Sequence, residues 1–505
     1  MRKQHVTVVA AAVSTTLVAV AVGALIRRWK KRKEQELRQT RNMVKKFASE
    51  CGTPVTKLWQ VADDLVSNMK AYLDSSNESS TLNMIISNVA SLPSGEEEGF
   101  FYGVNLQDTN LLILCARLGG KNKPISDLHR EEISIPSNVL AGTSEELLDF
   151  IAMEIAKFVQ AHPENEDGSF TKRKKLSFTL SYPLHKALPF SGTTFQRKSS
   201  DDPVELISFH FFILHVRQGL VKDLNRALKN HGMKMHVFAL VDDSIGGLAG
   251  GRYYNRDSVA AITLGMTTNA AYVEPAEDVP SVLAQSPNST ELVISMEWGN
   301  FNSPHLPLTQ FDVSLDAESS NPGNGIFEKL VSGKYLGEIV RRVLLKMAQE
   351  TALFGGSVPQ KLMTPYMLST PDMAAMHQDT SEDREVVSEK LKEVFGINSC
   401  TPMAREVVAE VCDIVTERGA RIAGAGIIGI VKKLGRIETR KSVVTVEGGL
   451  YEHYRIFRNY LHSSVWEMLG SDLSDNVIIE HSHGGSGTGA LFLAAAQTQT
   501  PRGDI

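Results

Sequence analysis

The chain has 505 residues, 42% of them apolar, and a formal net charge of −5. That length suffices for two packed lobes, and basic residues interleaved with acids leave no nucleic-acid footprint. The four cysteines, Cys51, Cys115, Cys400 and Cys412, have neither dense pairing nor metal-ligand spacing. They read as reduced thiols in a reducing compartment, where the sequons at Asn77 and Asn288 stay unmodified.

From Val6 to Ile26, 21 residues carry no charge, enough for a helix to cross a hydrocarbon core. The basic run Arg27–Lys33 follows, so the positive-inside rule keeps the remainder in the cytosol. A cleaved signal peptide is the rival reading, but basic residues stand where a neutral cleavage site belongs. An uncleaved anchor is therefore expected.

Thr53-Pro54 starts a helix whose apolar face is Leu58, Val61, Leu65, Met69 and Tyr72. Between Phe100 and Gly120 the alternation of Tyr102, Val104 and Leu106, then Leu112, Leu114 and Ala116, predicts a half-buried hairpin. Its tip holds Gln107 and Asp108 where a tight turn usually wants glycine. A helix over Ser144–Val159 follows, then a strand ending at Ser181-Tyr182-Pro183, and an amphipathic helix stopped by Gly232. The strand "MHVFALV" leads into a glycine-rich turn and helix, and "VAAITLGM" is the next strand. Beyond Gly325 the chain reads as largely helical as far as Arg436. "SVVTVEGGLYEHY" gives a strand, turn and helix, and "VIIEHSHGGSGTGALFLAAA" closes the fold before a polar tail. Strands alternating with helices predict an α/β architecture.

Three strand–turn segments look built to approach phosphate or sugar: residues 240–254, 264–274 and 483–496. Glycines let backbone N–H groups approach an anion, although they equally permit close packing. Together with "SMEWGNFNSPHLPLTQFD", "DAESSNPGNGIFEKLVSGKYLGEIVRRVLLKMA", "RGARIAGAGIIGIVKKLGR" and "VEGGLYEHY", they resemble the hexokinases, most closely the plant membrane-anchored branch. The resemblance runs from about residue 40 to 496. It implies the two-lobed actin-like ATPase fold, here with an N-terminal transmembrane helix. The implied parts are an anchor and basic flank (1–33), a small lobe (40–241), a large lobe (242–482) and a closing nucleotide-side helix with tail (483–505). It also implies transfer of the γ-phosphoryl group of ATP with Mg2+ to the 6-hydroxyl of glucose, fructose or mannose in glycolysis. The branch further suggests the outer mitochondrial membrane, with the bulk facing the cytosol.

Carried over by motif, Asp243 stands at the catalytic carboxylate that accepts the sugar hydroxyl proton. Ser181, Asp242, Asn269, Glu297 and Glu328 stand at sugar-binding positions. Thr109, Asn110, Thr268, Gly448, Gly449, Gly485, Ser486 and Gly487 stand on the nucleotide side. No residue is assigned as a metal ligand. Carboxylates and amides suit vicinal hydroxyls, which donate and accept in pairs, and a carboxylate beside the attacking hydroxyl supplies general-base assistance.

The pattern is broken at the first phosphate loop. The family reads Asp-Leu-Gly-Gly-Thr-Asn-Phe-Arg, whereas this chain has Asn105, Gln107, Asp108 and Leu112 at the acid, the two glycines and the arginine. A carboxylate about 4 Å from phosphate would oppose binding by roughly 4 kcal/mol at an effective dielectric of 20. Lys198 and Ser199 replace the threonine and lysine of a sugar loop, Asp242 replaces an asparagine, and Thr267 replaces a glycine. Gly484 replaces an aspartate, and residues 203–216 are longer and more apolar than the family loop. Three readings compete: an active hexokinase, a hexose-binding protein of weak or no activity that senses or regulates, and a membrane-tethered scaffold. The retained Asp243, Glu297 and Glu328 argue against the third, and the broken loop favours the second.

Overall fold

The structure, a computed structural model, describes residues 27, 28, 30–74, 80–107, 109–163, 174–180, 218–279 and 290–497. The expected span Val6–Ile26, together with Asp108, Ser181, Lys198, Ser199 and residues 203–216, lies outside the described residues. Among the described residues no helix is long and apolar enough to cross a membrane. The chain divides into two compact units. One draws on the chain up to Gly52, Pro307–Leu315 and Tyr335–Thr416; the other on Thr53–Leu306, Asp316–Lys334 and the chain from Glu417 onward.

The first unit is helical, as the sequence beyond Gly325 leads one to expect. Its Leu336–Thr351 helix carries Glu338, which is fully buried. The Glu338 carboxylate accepts from Arg341 at 2.7 Å and from Arg342 at 2.8 Å, satisfying a charge that burial would otherwise penalise.

The second unit holds both sheets. Its five-stranded sheet is made of β2 (Glu98–Leu106), β3 (Asn110–Gly119), β4 (Ser126–Ser134), β5 (Lys174–Leu180) and β6 (Met235–Asp242), in the order β4-β3-β2-β5-β6. The expected hairpin is β2–β3, with Leu106 opposite Leu111 and Asn105 opposite Leu112. It is not half-buried. One face places Tyr102, Val104, Leu111 and Ile113 against Ile151, Ile155 and Phe158 of the Ser144–Ala161 helix. The other places Phe101, Leu112 and Leu114 against Leu491 and Phe492 of the Gly485–Ala496 helix. Strands covered on both faces are apolar throughout, so the alternation in the sequence understates their burial. The Ser144–Ala161 helix is anchored by a reciprocal cap: Glu146 N–H donates to the Thr143 hydroxyl and Thr143 N–H to the Glu146 carboxylate.

The six-stranded sheet comprises β1 (Ile85–Ile86), β7 (Ser258–Leu264), β8 (Thr268–Pro275), β9 (Glu291–Ser295), β10 (Ser442–Glu447) and β11 (Val477–His481), in the order β1-β9-β8-β7-β10-β11. β7, β10 and β11 run parallel, whereas β8 pairs antiparallel with both β7 and β9. The Asp243–Tyr254 helix leaves β6 and joins Ala261, Ala271 and Leu493 in one core through Ile245, Leu248 and Ala249.

The glycines of residues 240–254, read as a turn that approaches a ligand, sit buried inside the Asp243–Tyr254 helix. They let that helix meet the Gly485–Ala496 helix backbone to backbone. A methyl group on Gly489 would overlap the carbonyl oxygen of Gly246.

Candidate active site

The carboxyl ends of β6 and β10, the end of β2 and the start of the Gly485–Ala496 helix bring one group of polar side chains together. Asp242 is the N-cap of the Asp243–Tyr254 helix, its Oδ1 accepting from Ile245 N–H at 3.1 Å. Aspartate and asparagine cap helices about equally well, so the departure at 242 leaves the helix start intact. Asp243 is the first helical residue.

Asn105 is buried at the end of β2. Its Nδ2 lies 2.6 Å from Asp243 Oδ1, 2.7 Å from Ser486 Oγ and 2.9 Å from Thr179 Oγ1. An amide nitrogen has two N–H groups for these three oxygens, while the buried Oδ1 of Asn105 meets no partner.

Glu447, at the end of β10, completes this group. It takes a hydrogen bond from Ser486 N–H, and Thr263 Oγ1 lies 3.5 Å from its Oε1. Burial first, and then the charge of Asp243, push its carboxyl well above the ordinary glutamate value. Sequence reasoning passed over Glu447 in favour of Gly448 and Gly449. The available signal was its place at the carboxyl end of a parallel strand, where α/β sheets gather their ligands.

A second group forms around β8 and β9. Asn269 Nδ2 donates to Ser295 Oγ at 3.0 Å and to Glu297 Oε1 at 3.3 Å, and its Oδ1 accepts from Ala270 N–H at 2.8 Å. Glu297 adopts φ 50°, a left-handed conformation that costs a non-glycine residue about 1–2 kcal/mol. Strain of this kind persists where the surroundings hold a side chain in a required direction. Glu328, on the Ile326–Val331 helix, lies beside Gly299: a Cβ on that glycine would sit 3.1 Å from the Glu328 Cβ. The structure therefore links Asn269 to Glu297 and sets Glu328 next to the turn that follows Glu297. Ser295 is an addition that the sequence did not mark.

The nucleotide-side residues are less alike than their motifs suggest. The hairpin tip closes with Gln107 N–H donating to Asn110 C=O at 2.8 Å. Among the described residues, positive φ outside glycine occurs only at Asp127, Glu297, Ala352, Tyr366 and Arg384, so the backbone at Gln107 does not itself demand glycine. Asn110 donates its side-chain amide to Glu132 at 2.9 Å, and the Thr109 carbonyl accepts from Ile135 N–H at 2.7 Å. Thr268 is committed as well: its hydroxyl donates to Thr263 C=O and accepts from Trp298 Nε1, both at 2.9 Å. Gly448 has φ 104°, and a Cβ there would overlap the Leu264 carbonyl, while Gly449 is exposed. Gly485 has φ 70° at the start of its helix, where Ser486 faces Asn105 and Glu447. Gly487 is pressed against Leu112: a Cβ on it would lie 2.7 Å from Leu112 Cδ2. Leu112 itself is 4% exposed, so the position of the family's arginine is inside the core.

Family models described as "Hexokinase" match residues 43–253 and 259–496. The chain belongs to the hexokinase family. It is 45% identical to Hexokinase-1 of Spinacia oleracea over 496 residues, covering 97% of this chain and 98% of that one. Hexokinase-2 of Solanum tuberosum is 44% identical over 498 residues, with the same coverage, 97% and 98%. The structure of a Schistosoma mansoni hexokinase complexed with glucose matches with a TM-score of 0.74 at 26% identity, covering 92% of this chain and 99% of that chain. The fold is thus the two-lobed, mixed α/β hexokinase fold.

Hexokinases as a group use ATP with Mg2+. Hard cations of this kind take oxygen ligands, but the group around Asp243 presents an N–H donor from Asn105 to its converging oxygens. Among the described residues no three or more His, Cys, Asp or Glu side chains are placed to hold a metal ion. The residues around Asp243 do not fit a directly coordinated cation.

Proposed function

We propose that this hexokinase-family chain binds hexose and has weak or no phosphotransferase activity, acting in sensing or regulation. Hexose binding is supported by the bonded set Asn269, Ser295 and Glu297 with Glu328 nearby, which offers carboxylates and an amide to vicinal hydroxyls. The observation that carries weak catalysis is the Asn105–Asp243 hydrogen bond at 2.6 Å. Asp243, the proposed general base, would have to take a proton from the sugar hydroxyl. In this chain one of its oxygens already accepts from an amide. Ser486 N–H at the start of the Gly485–Ala496 helix is likewise committed to Glu447. That donor would otherwise be free for an anion at the helix N-terminus.

A coupled phosphorylation assay, run beside calorimetry with glucose and with ATP, tests this reading. Glucose binding with turnover far below the usual kinase range of about 1–100 per second is expected. Turnover within that range makes the chain an active hexokinase that transfers phosphate to the 6-hydroxyl. No heat or thermal shift at tens of millimolar glucose leaves only the scaffold.

We also propose that Val6–Ile26 tethers the protein to the outer mitochondrial membrane with its bulk in the cytosol. The uncharged span and the Arg27–Lys33 cluster support this. Removal of residues 1–33 should release the protein from the alkali-resistant membrane fraction, and its retention there would refute the tether.

A further inference from the structure

Three oxygens converge on the Asn105 amide nitrogen, from the Asp243 carboxylate, the Ser486 hydroxyl and the Thr179 hydroxyl, at 2.6, 2.7 and 2.9 Å. They come from three different elements: the Asp243–Tyr254 helix, the Gly485–Ala496 helix and β5. Asp243 also faces the Glu447 carboxyl, and Glu447 in turn faces Glu452. Acids thus gather here, and the nitrogen among them belongs to a neutral side chain. The orientation of that amide follows from Asp243. Turned over, it would set carbonyl oxygen against carboxylate, two acceptors face to face. In the orientation found, Oδ1 is left buried without a partner, a cost that only the contacts on the nitrogen side offset.

We propose that the Asn105 amide is a built-in substitute for a cation beside Asp243, holding its carboxylate as an acceptor and closing it to direct metal coordination. The two N–H groups supply the positive ends that a cation would otherwise bring. The nitrogen side of the amide is thereby filled without metal, and Asn105 is a positioning residue for Asp243. The role assigned to Asp243 rests on the proposed function, but the metal and stability behaviour predicted here does not depend on hexose binding or turnover.

The test uses the full-length protein without nucleotide and Mn2+ as the probe, followed by electron paramagnetic resonance and by melting temperature. Wild type should bind no Mn2+ that is lost on Asp243→Asn, and its melting temperature should not respond to Mn2+. Asn105→Asp should melt lower than wild type in EDTA, bind Mn2+ at least about tenfold more tightly than wild type, and recover stability when Mn2+ is added. The exchanged pair Asn105→Asp with Asp243→Asn restores an amide beside a carboxylate, so it should melt closer to wild type in EDTA and lose the metal response. If Asn105→Asp does not fold, Asn105→Ala serves, since removing the amide should also raise Mn2+ affinity above wild type. Mn2+ held by wild-type Asp243, or unchanged affinity in both Asn105 variants, would overturn the proposal. An exchanged pair no more stable in EDTA than Asn105→Asp would also count against it.

Discussion

Leu112 on β3 and Gly487 near the start of the Gly485–Ala496 helix are packed so closely that a Cβ on the glycine would lie 2.7 Å from Leu112 Cδ2. A position where the family carries a charged side chain is here part of the core, 4% exposed. Leu112→Arg should therefore not restore phosphate contact; it should bury a guanidinium and destabilise the fold. Gly487→Ala should be destabilised by overpacking, by about 1–3 kcal/mol. Denaturant midpoints read both effects. A Leu112→Arg variant that keeps wild-type stability and gains kinase activity would show that the side chain has a route out of the core.

Substitutions at Glu297 should separate hexose binding from stability. Glu297→Gly removes the carboxylate and relieves the left-handed backbone, so it should match or exceed wild-type stability while losing the glucose-induced thermal shift. Glu297→Gln keeps the strain and loses the charge, at a cost in hexose affinity of about 1.5–3 kcal/mol, or roughly ten- to hundredfold. Ser295→Ala only frees the Asn269 amide and should cost about 0.5–1.5 kcal/mol. Glucose titrations of all three give the ranking. Full binding by Glu297→Gly would remove this carboxylate from the hexose site.

Glu447 makes stability depend on pH in a direction opposite to most carboxylates. Its folded-state pKa lies above the ordinary 4.5, so above that pH the native protein holds a proton that the unfolded chain has released. The stabilising contribution is complete below the unfolded-state value and declines as pH rises through the folded-state titration. Asp243 and Glu452 are the acids that act on it. Glu447→Gln should remove that decline, so unfolding midpoints measured between about pH 5 and pH 8 should fall less steeply than those of wild type. Identical slopes would mean that Glu447 is ionised throughout.

Thr268 is predicted to be structural. Thr268→Val conserves shape but leaves the Trp298 indole N–H and the Thr263 carbonyl without their partner, at a cost of about 1–3 kcal/mol. Trp298 is fully buried, so its fluorescence should change in the folded variant. A loss of nucleotide affinity with unchanged stability would instead return Thr268 to the phosphate side.

Much of this was legible along the chain. The hairpin and the stop at Gly232 are local signals, and local geometry bears them out. The members of the group around β8 and β9 were legible as candidates because Asn269, Glu297 and Glu328 each sit in a distinctive short motif. What stayed hidden depends on partners far apart in sequence. Asn105 and Ser486 are 381 positions apart, so neither β2 nor the glycine-rich segment announces their meeting. Glu447 likewise depends on a partner from another element: Ser486 N–H, at the start of the Gly485–Ala496 helix, donates to its carboxylate. The glycines of 240–254 are ambiguous for the same reason: a tight helix crossing and a ligand loop ask for the same missing side chain.

The backbone contact between Gly246 and Gly489 also has a meaning for synthesis. During translation β2 and β3 emerge long before the helix that covers Phe101, Leu112, Leu114 and Leu118. Until that helix leaves the ribosome, one apolar face of the sheet has no cover, and an open face of this kind invites aggregation. Nascent chains halted before Gly485 should accordingly be held by chaperones or precipitate. Release from that state should come once Leu491 and Phe492 of the Gly485–Ala496 helix reach the sheet.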